Sequence, residues 1–193
     1  MGVLNLLILP ITTSNTSMKK IVWLNKSNGQ LCVTIPKNSG INDGDIVSIE
    51  KDKVKKIVYS FVTGDLFHYG HLQLLEKANK LGDFHICGVL TNEAIESYKS
   101  APVAQLKDRV AIISALRCVD MVMTQDSKDA TNNLKKIHER FSRAKIIIVH
   151  AKNWEEIPGS SYVEKIGGEV VKLPYYAKLS DENINRALKK VSK

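Results

Sequence analysis

Two histidines three residues apart, His68 and His71, are the side chains of this sequence best suited to act on a phosphoryl group. They follow an apolar run at 56–62 and the turn Thr63-Gly64-Asp65, and an apolar-periodic segment at 70–81 comes directly after them. This order predicts a strand, a loop and a helix that begins near His68. Because the first turn of a helix has unpaired N–H groups and a partial positive charge, anions bind there.

The histidine pair suits a reaction in which negative charge develops on phosphorus. A spacing of three residues places the two imidazoles on roughly one face of a helix, and Gly70 leaves room for a phosphate to approach the backbone. Imidazole donates a hydrogen bond when neutral and supplies a full charge when protonated. The strand, the Gly-Asp turn and the helix favour this interpretation over two ordinary histidines at a helix start.

Five sequence blocks resemble the signatures of the cytidylyltransferase-like nucleotidyltransferases. This family includes phosphoethanolamine and glycerol-phosphate cytidylyltransferases and the adenylyltransferase of ADP-heptose synthesis. The blocks follow one another in the family's order and lie at 62–71, 86–93, 98–103, 108–120 and 154–180. The resemblance covers about residues 56 to 190, and it implies both a fold and an activity.

The implied activity is nucleotidyl transfer with Mg²⁺ as the cofactor. An oxygen of a small phosphorylated or phosphonate acceptor would attack the α-phosphorus of an NTP, and pyrophosphate would leave with its charge shielded by magnesium. CTP is favoured as the nucleotide. Transfer of AMP from ATP, by an adenylyltransferase of heptose-phosphate or FAD-synthetase type, stays open as an alternative.

The resemblance also implies roles for individual residues. Catalysis is expected from His68 and His71, which would stabilise the pentavalent α-phosphate, and from Lys99, which would neutralise the outer phosphates together with Arg109. The residues expected to bind the nucleotide are Thr63, Gly64, Asp65, Gly70, Thr91, Arg109 and Ser180. An acceptor site is expected from His150, Lys152 and Trp154, and no side chain is expected to bind a metal directly.

Several of these positions also have a structural interpretation. Without the family context, Lys99 is explained equally well as a solvated surface lysine. The structural alternative for Arg109 is a surface ion pair with Asp108. Asp65 is expected to order its loop rather than bind metal, and Ser180 is equally the N-cap of a last helix.

The segment His150-Ala151-Lys152-Asn153-Trp154 departs from the family pattern, which has two acidic residues there. Their loss argues against a cationic acceptor such as phosphocholine, and Lys152 favours an anionic one. Trp154 is expected either to stack on the base or to pack as an ordinary loop tryptophan.

The bulk composition is typical of a globular enzyme, with 193 residues, 25% charged and 44% hydrophobic. The net charge of +8 favours anionic ligands and leaves nucleic acid open. Three cysteines without a C-x-x-C pair predict neither a disulfide framework nor a zinc site, and they fit a cytoplasmic protein. No membrane association is expected, because the apolar stretch at 3–11 is too short to cross a bilayer.

The pattern from residue 54 onward predicts an α/β fold with a doubly wound, Rossmann-like parallel sheet. Strands are expected near 56–62, 84–90, 119–123, 145–149 and 169–173. Helices are expected near 70–81, 92–98, 105–117, 130–141, 160–166 and 180–191. In such a sheet the carboxyl ends of the strands line one crevice, where ligands bind.

Three segments are expected in total: 1–17, 18–53 and the nucleotidyltransferase domain at 54–193. Residues 1–17 are interpreted as a flexible or leader-like segment, with a packed N-terminal strand as the alternative. Residues 18–53 predict a small β domain that resembles the swapped hairpin of AbrB-type regulators. That resemblance favours a homodimer, because so short a segment cannot bury a core alone. DNA binding, as in an AbrB-like regulator with a nucleotide-sensing domain, is possible but not favoured.

Overall fold

The computed structural model describes residues 5–10, 18–25, 27–45, 47–52, 54–152, 154–174 and 184. The chain divides into two compact units, Met1–Val54 and Lys55–Lys193. No helix in the described part of the chain is both long enough and apolar enough to cross a membrane.

The first unit is built from short antiparallel strands. Its three-stranded sheet has the order β2-β1-β5, and a separate ladder joins β3 to β4. The strands are β1 (Asn5–Pro10), β2 (Met18–Ile21), β3 (Trp23–Leu24), β4 (Leu31–Cys32) and β5 (Val47–Asp52), with a short 3₁₀ helix at Lys37–Ser39.

The interpretation of residues 1–17 as flexible or leader-like is corrected at Asn5–Pro10. This stretch forms the middle strand β1, which pairs with β2 on one side and with β5 on the other. The apolar run that suggested a leader is instead a strand whose two edges both have backbone partners. The alternative of a packed N-terminal strand therefore fits this stretch.

The second unit contains a five-stranded parallel sheet with the order β10-β9-β6-β7-β8. Its strands are β6 (Lys56–Val62), β7 (Phe84–Leu90), β8 (Met121–Gln125), β9 (Lys145–Ala151) and β10 (Glu169–Leu173). The helices are α1 (Tyr69–Asn79), α2 (Asn92–Glu96), α3 (Leu106–Ser114), α4 (Thr131–Arg140) and α5 (Ser160–Lys165). The predicted parallel α/β sheet is confirmed.

The sheet's central strands are buried throughout, which explains their continuous apolar sequence. Residues 57–62 of β6 and every residue of β7 are buried. Because helices cover the faces of a parallel sheet, such strands show no alternation of polar and apolar side chains.

Several boundaries differ from the sequence prediction by a few residues, and one predicted helix lies almost entirely beyond what the structure describes. Strand β8 begins at Met121 rather than at residue 119. The preceding residue, Asp120, accepts a hydrogen bond from the His85 backbone N–H and donates its own N–H to the His85 carbonyl. The helix predicted at 180–191 lies outside the described residues except for residue 184.

Candidate active site

The start of α1 holds His68 and His71 together. His68 is the N-cap, and its Nδ1 accepts a hydrogen bond from the Gly70 backbone N–H at 3.0 Å. The Nδ1 of His71 in turn accepts one from the His68 backbone N–H at 3.4 Å. The two rings are stacked, with their centroids 4.0 Å apart. This reciprocal cap fixes both imidazoles at the carboxyl end of the central strand β6.

The cap also decides which ring nitrogen carries the proton. A nitrogen that accepts an N–H bond cannot itself be protonated, so each neutral ring carries its proton on Nε2. His68 and His71 are both half-buried. Each ring can therefore support the helix start through Nδ1 and present an N–H donor through Nε2.

The loop between β6 and α1 has an unusual backbone path. Gly64 has φ 71° and Leu66 has φ 45°, so both lie in the left-handed region, which is uncommon for a leucine. Asp65 fixes this path, because its two carboxylate oxygens accept the backbone N–H groups of Val103 and Ala104 at 3.0 and 2.9 Å. The carboxylate thus orders two loops, which is the structural interpretation of Asp65.

Arg109 occupies a position different from the one expected for a group that contacts phosphate. Its side chain is fully buried. The guanidinium donates to the carbonyls of Ala104, Thr63 and Leu90 and to the Asn92 side chain, at 2.5 to 3.1 Å. Arg109 thus ties together the loops that follow β6 and β7, and its contact with phosphate stays a prediction.

Of the other predicted nucleotide and catalytic positions, Thr63 and Thr91 lie at the strand ends that Arg109 joins. Thr91 ends β7 and is the N-cap of α2, where its Oγ1 accepts the Ala94 N–H at 3.2 Å. Gly70 lies in the first turn of α1, and half-buried Thr63 leads out of β6. Lys99 is exposed and follows α2. Ser180 lies outside the described residues.

At the end of β9, His150 packs into an aromatic cluster. Its ring centroid lies 4.7 Å from that of Phe61 and 4.8 Å from that of Trp154. Burial, with a smaller contribution from the charge of His71, lowers the pKa of His150 to about 4. Its buried Nδ1 has no hydrogen-bond partner among the described residues. His150 and Trp154 therefore pack together at the end of β9, while Lys152 is exposed there.

The sequence prediction missed Lys128, which lies beside this cluster. Its Nζ stands 5.2 Å from the centroid of the Tyr98 ring and 5.0 Å from that of Trp154. Lys128 follows the carboxyl end of β8, and this position was the one available signal. Which side chains would surround the ammonium depends on long-range packing that spacing along the chain does not reveal.

A buried polar network supports the loop that carries Lys128. Gln125 is 1% exposed, and its Nε2 donates to the carbonyls of Ser127 and Lys128 at 2.8 and 3.3 Å. The Tyr59 hydroxyl donates to Gln125 Oε1 at 2.6 Å and accepts from Asn133 Nδ2 at 3.0 Å. Three buried side chains thus hold the backbone at the end of β8.

The described residues contain no group of three or more His, Cys, Asp or Glu side chains that could hold a metal ion. Both oxygens of Asp65 already accept backbone N–H groups. This donor set fits a magnesium ion held mainly by phosphate oxygens and water, which is a common way for proteins to bind Mg²⁺.

Comparison with known proteins gives one family match. The sequence profile described as "Cytidylyltransferase-like" matches residues 63–180. The "Bifunctional protein HldE" of Desulfatibacillum aliphaticivorans is 31% identical over 134 residues, which cover 67% of this chain and 26% of that protein. The protein of the same name from Hydrogenovibrio crunogenus is 30% identical over 135 residues, covering 68% and 27%.

The chain thus spans about a quarter of the length of the curated relatives it matches. Among solved structures, "the lipopolysaccharide core biosynthesis protein from Thermoplasma volcanium GSS1" is similar with a TM-score of 0.53 and 22% sequence identity. The similarity covers 64% of this chain and 99% of that one, and it shows a shared fold.

Proposed function

Because this chain belongs to the cytidylyltransferase-like family of nucleotidyltransferases, we propose that it transfers a nucleoside monophosphate from an NTP to a small anionic acceptor. An oxygen of the acceptor's phosphate or phosphonate attacks the α-phosphorus and forms a new P–O bond. The bond from the α-phosphorus to the bridging oxygen of the β-phosphate breaks, and pyrophosphate leaves with the electron pair. When bound, a magnesium ion would shield the charge of that leaving group.

The observation that carries the proposal is the reciprocal cap of His68 and His71. With Nδ1 accepting a backbone N–H, each ring directs a donor from Nε2. Donors that are fixed before the reaction stabilise charge as it develops, because no reorganisation is needed at that moment. The role of the pair is to hold the equatorial oxygens of the pentavalent α-phosphate.

The first turn of α1 supports the same assignment. The dipole of α1 provides a second source of positive potential, and Gly70 has no side chain to block an approaching phosphate. Exposed Lys99 follows the neighbouring helix α2, where it is suited to neutralise the outer phosphates of the NTP.

CTP is the nucleotide we propose first, in keeping with the family resemblance, and ATP is the alternative. An anionic acceptor is proposed because residues 150–154 contain no acidic side chain and include Lys152. The cluster of His150, Phe61 and Trp154 offers an apolar wall for either the base or the acceptor.

A pyrophosphate-release assay tests the proposal. The full chain is incubated with MgCl₂, each of the four NTPs and a panel of phosphorylated alcohols and phosphonates. We expect release with one NTP only when an acceptor is present, and a ³¹P spectrum of the product with two coupled phosphorus resonances. Acceptor-independent hydrolysis, or no release with any pair, would refute nucleotidyl transfer.

A further inference from the structure

We propose that Lys128 is a specificity-determining residue of this site and that its ammonium binds the phosphate or phosphonate group of the acceptor. This inference rests on the proposed nucleotidyl transfer and names one substrate contact of it. Four features of the structure distinguish Lys128 from an ordinary surface lysine.

The first feature is the resting position of the ammonium. It lies about 5 Å from the ring centroids of both Tyr98 and Trp154, two side chains that follow different strands of the sheet. In the part of the chain that the structure describes, its partners are these aromatic rings and not a carboxylate. The attraction of a ring face for a cation is weaker than that of a phosphate dianion. An incoming anion can therefore draw the ammonium away from the rings.

The second feature is the rigid base under Lys128. The buried amide of Gln125 donates to the backbone carbonyls of Ser127 and Lys128, and Tyr59 and Asn133 hold that amide in turn. A buried polar network of this kind is stable only when all its members are satisfied. It fixes the point from which the lysine side chain extends, so ligand binding orders only the side chain itself.

The third feature is the connection to the histidine pair. Trp154 contacts the Lys128 ammonium, and its indole also packs against His150 with centroids 4.8 Å apart. The pKa of His150 in turn responds to the charge of His71. Trp154 thus connects Lys128 to His150, the histidine whose pKa responds to the charge of His71.

The fourth feature is the side from which the ammonium approaches. Lys99 follows α2 and is proposed for the triphosphate, whereas Lys128 follows the edge strand β8 and meets the tryptophan that comes after β9. The Lys128 ammonium lies over the ring of Trp154, which belongs to the segment 150–154 from which an anionic acceptor is proposed. We therefore assign the Lys128 contact to the acceptor.

Steady-state kinetics show whether Lys128 binds the anionic group of the acceptor or the triphosphate of the NTP. The variants are Lys128→Gln and Lys128→Arg, and the matched control is Lys135→Gln, which removes one exposed lysine charge from helix α4. We expect Lys128→Gln to raise the KM for the acceptor at least tenfold while the KM for the NTP and kcat stay within threefold. Lys128→Arg should recover most of the affinity, and Lys135→Gln should behave as wild type.

A higher KM for the NTP with an unchanged KM for the acceptor would instead assign Lys128 to the triphosphate, and unchanged kinetics would reject it as a substrate contact. Both outcomes overturn the inference. They leave nucleotidyl transfer itself intact, because pyrophosphate would still be released.

A binding readout without turnover completes the test. In a Trp23→Phe background Trp154 is the only tryptophan, so its emission reports an ammonium that leaves the indole face. We expect saturable changes on titration with methylphosphonate or inorganic phosphate, and none in Lys128→Gln. If this signal is seen but no NTP is turned over, the proposed reaction fails and the anion site stands. If Lys128→Gln titrates as the parent does, or the parent gives no saturable change, the anion site fails.

Discussion

At the scale of single residues, the histidine pair has a structural role in the helix cap and a proposed chemical role. The Nδ1 atoms of His68 and His71 accept backbone N–H groups at the start of α1, so the helix start fixes each ring and each ring stabilises the helix start. A substitution that removes a ring therefore removes a helix cap as well. The two contributions can be separated with a side chain that caps but cannot reach a phosphoryl oxygen.

His68→Ala and His71→Ala should each lower turnover at least ~100-fold, as expected for loss of a fixed donor to a transition state. His68→Ala should also destabilise the fold by about 1 kcal/mol, because the Gly70 N–H loses its acceptor. His68→Asn restores a capping oxygen, so its unfolding midpoint should return to that of wild type while turnover stays low. Recovery of activity together with stability would show that the ring acts only as a cap.

Arg109→Lys should lower the free energy of unfolding by roughly 2–4 kcal/mol, because one ammonium cannot reach all four oxygens that the buried guanidinium satisfies. Chemical denaturation measures this loss. Arg143→Lys at an exposed position is the control and should change stability by less than ~0.5 kcal/mol. Unchanged stability with a weakened response to NTP would return Arg109 to the phosphate-binding role first expected from the sequence.

At the scale of elements, the sequence predicted what local pattern controls. The bounds of β6, β7 and β10 were confirmed, because each is a short apolar run with clear breaks around it. The start of β8 was placed two residues early, since Asp120 belongs to a turn that is set by its contacts with His85. The apolar pattern of a sequence does not reveal a hydrogen bond between residues that are far apart in the chain, so it cannot show where such a bond fixes the start of a strand.

The same limit applies to the site. The loops after β6 and β7 were located from their motifs, and the role of Asp65 in ordering its loop was among the expectations. The burial of Arg109 and the aromatic neighbours of Lys128 could not be predicted. Both depend on which loops the parallel sheet brings together, and residues far apart in sequence supply those loops.

Gly88→Ala tests the packing between neighbouring strands. A Cβ at this position would lie 2.2 Å from the Tyr59 hydroxyl and 2.8 Å from Gln125 Oε1, so the substitution should cost roughly 1–3 kcal/mol or more in unfolding free energy. In a Tyr59→Phe background the hydroxyl is gone, and the added cost of Gly88→Ala should be smaller. A double-mutant cycle measures the difference, and equal costs in both backgrounds would contradict this packing.

At the scale of the whole molecule, the parallel sheet is stabilised at neutral pH by histidines that must remain uncharged. The ring of His85 is fully buried, hydrogen-bonded to the Ser60 side chain and to the Cys118 carbonyl, and burial lowers its pKa to about 4. His150 shifts in the same direction. Protonation of either ring therefore opposes folding.

The unfolding free energy should fall as the pH is lowered from about 6.5 to 4. In this window the unfolded chain binds a proton at His85 and the folded chain does not. The contribution of neutral His85 to the unfolding free energy is therefore fully present above pH 6.5 and is lost progressively as the pH falls toward 4. A pKa lowered to about 4 in the folded chain corresponds to roughly 3 kcal/mol of unfolding free energy from His85. Guanidinium unfolding at pH 7 and pH 5 measures the change. His85→Gln should show a flatter profile, and a parallel profile would exclude His85 as the source.

The two units also give a prediction about assembly, since we propose that the first unit supports a homodimer. A chain of residues 55–193 should remain folded and keep its transferase activity, while its sedimentation coefficient falls to that of a monomer. The full chain is the reference and should sediment as a dimer. A monomeric full chain, or a dimeric 55–193 chain, would contradict a dimer held by the first unit.

The central position of β6 has a consequence for the synthesis of the chain. Lys56 pairs with Lys145, a partner that leaves the ribosome about 90 residues later. Until then one edge of the strand that leads to His68 is open, and an open apolar edge invites pairing with other chains. Nascent chains that stall before β9 is complete should therefore aggregate or occupy chaperones, even though His68 and His71 have already been made.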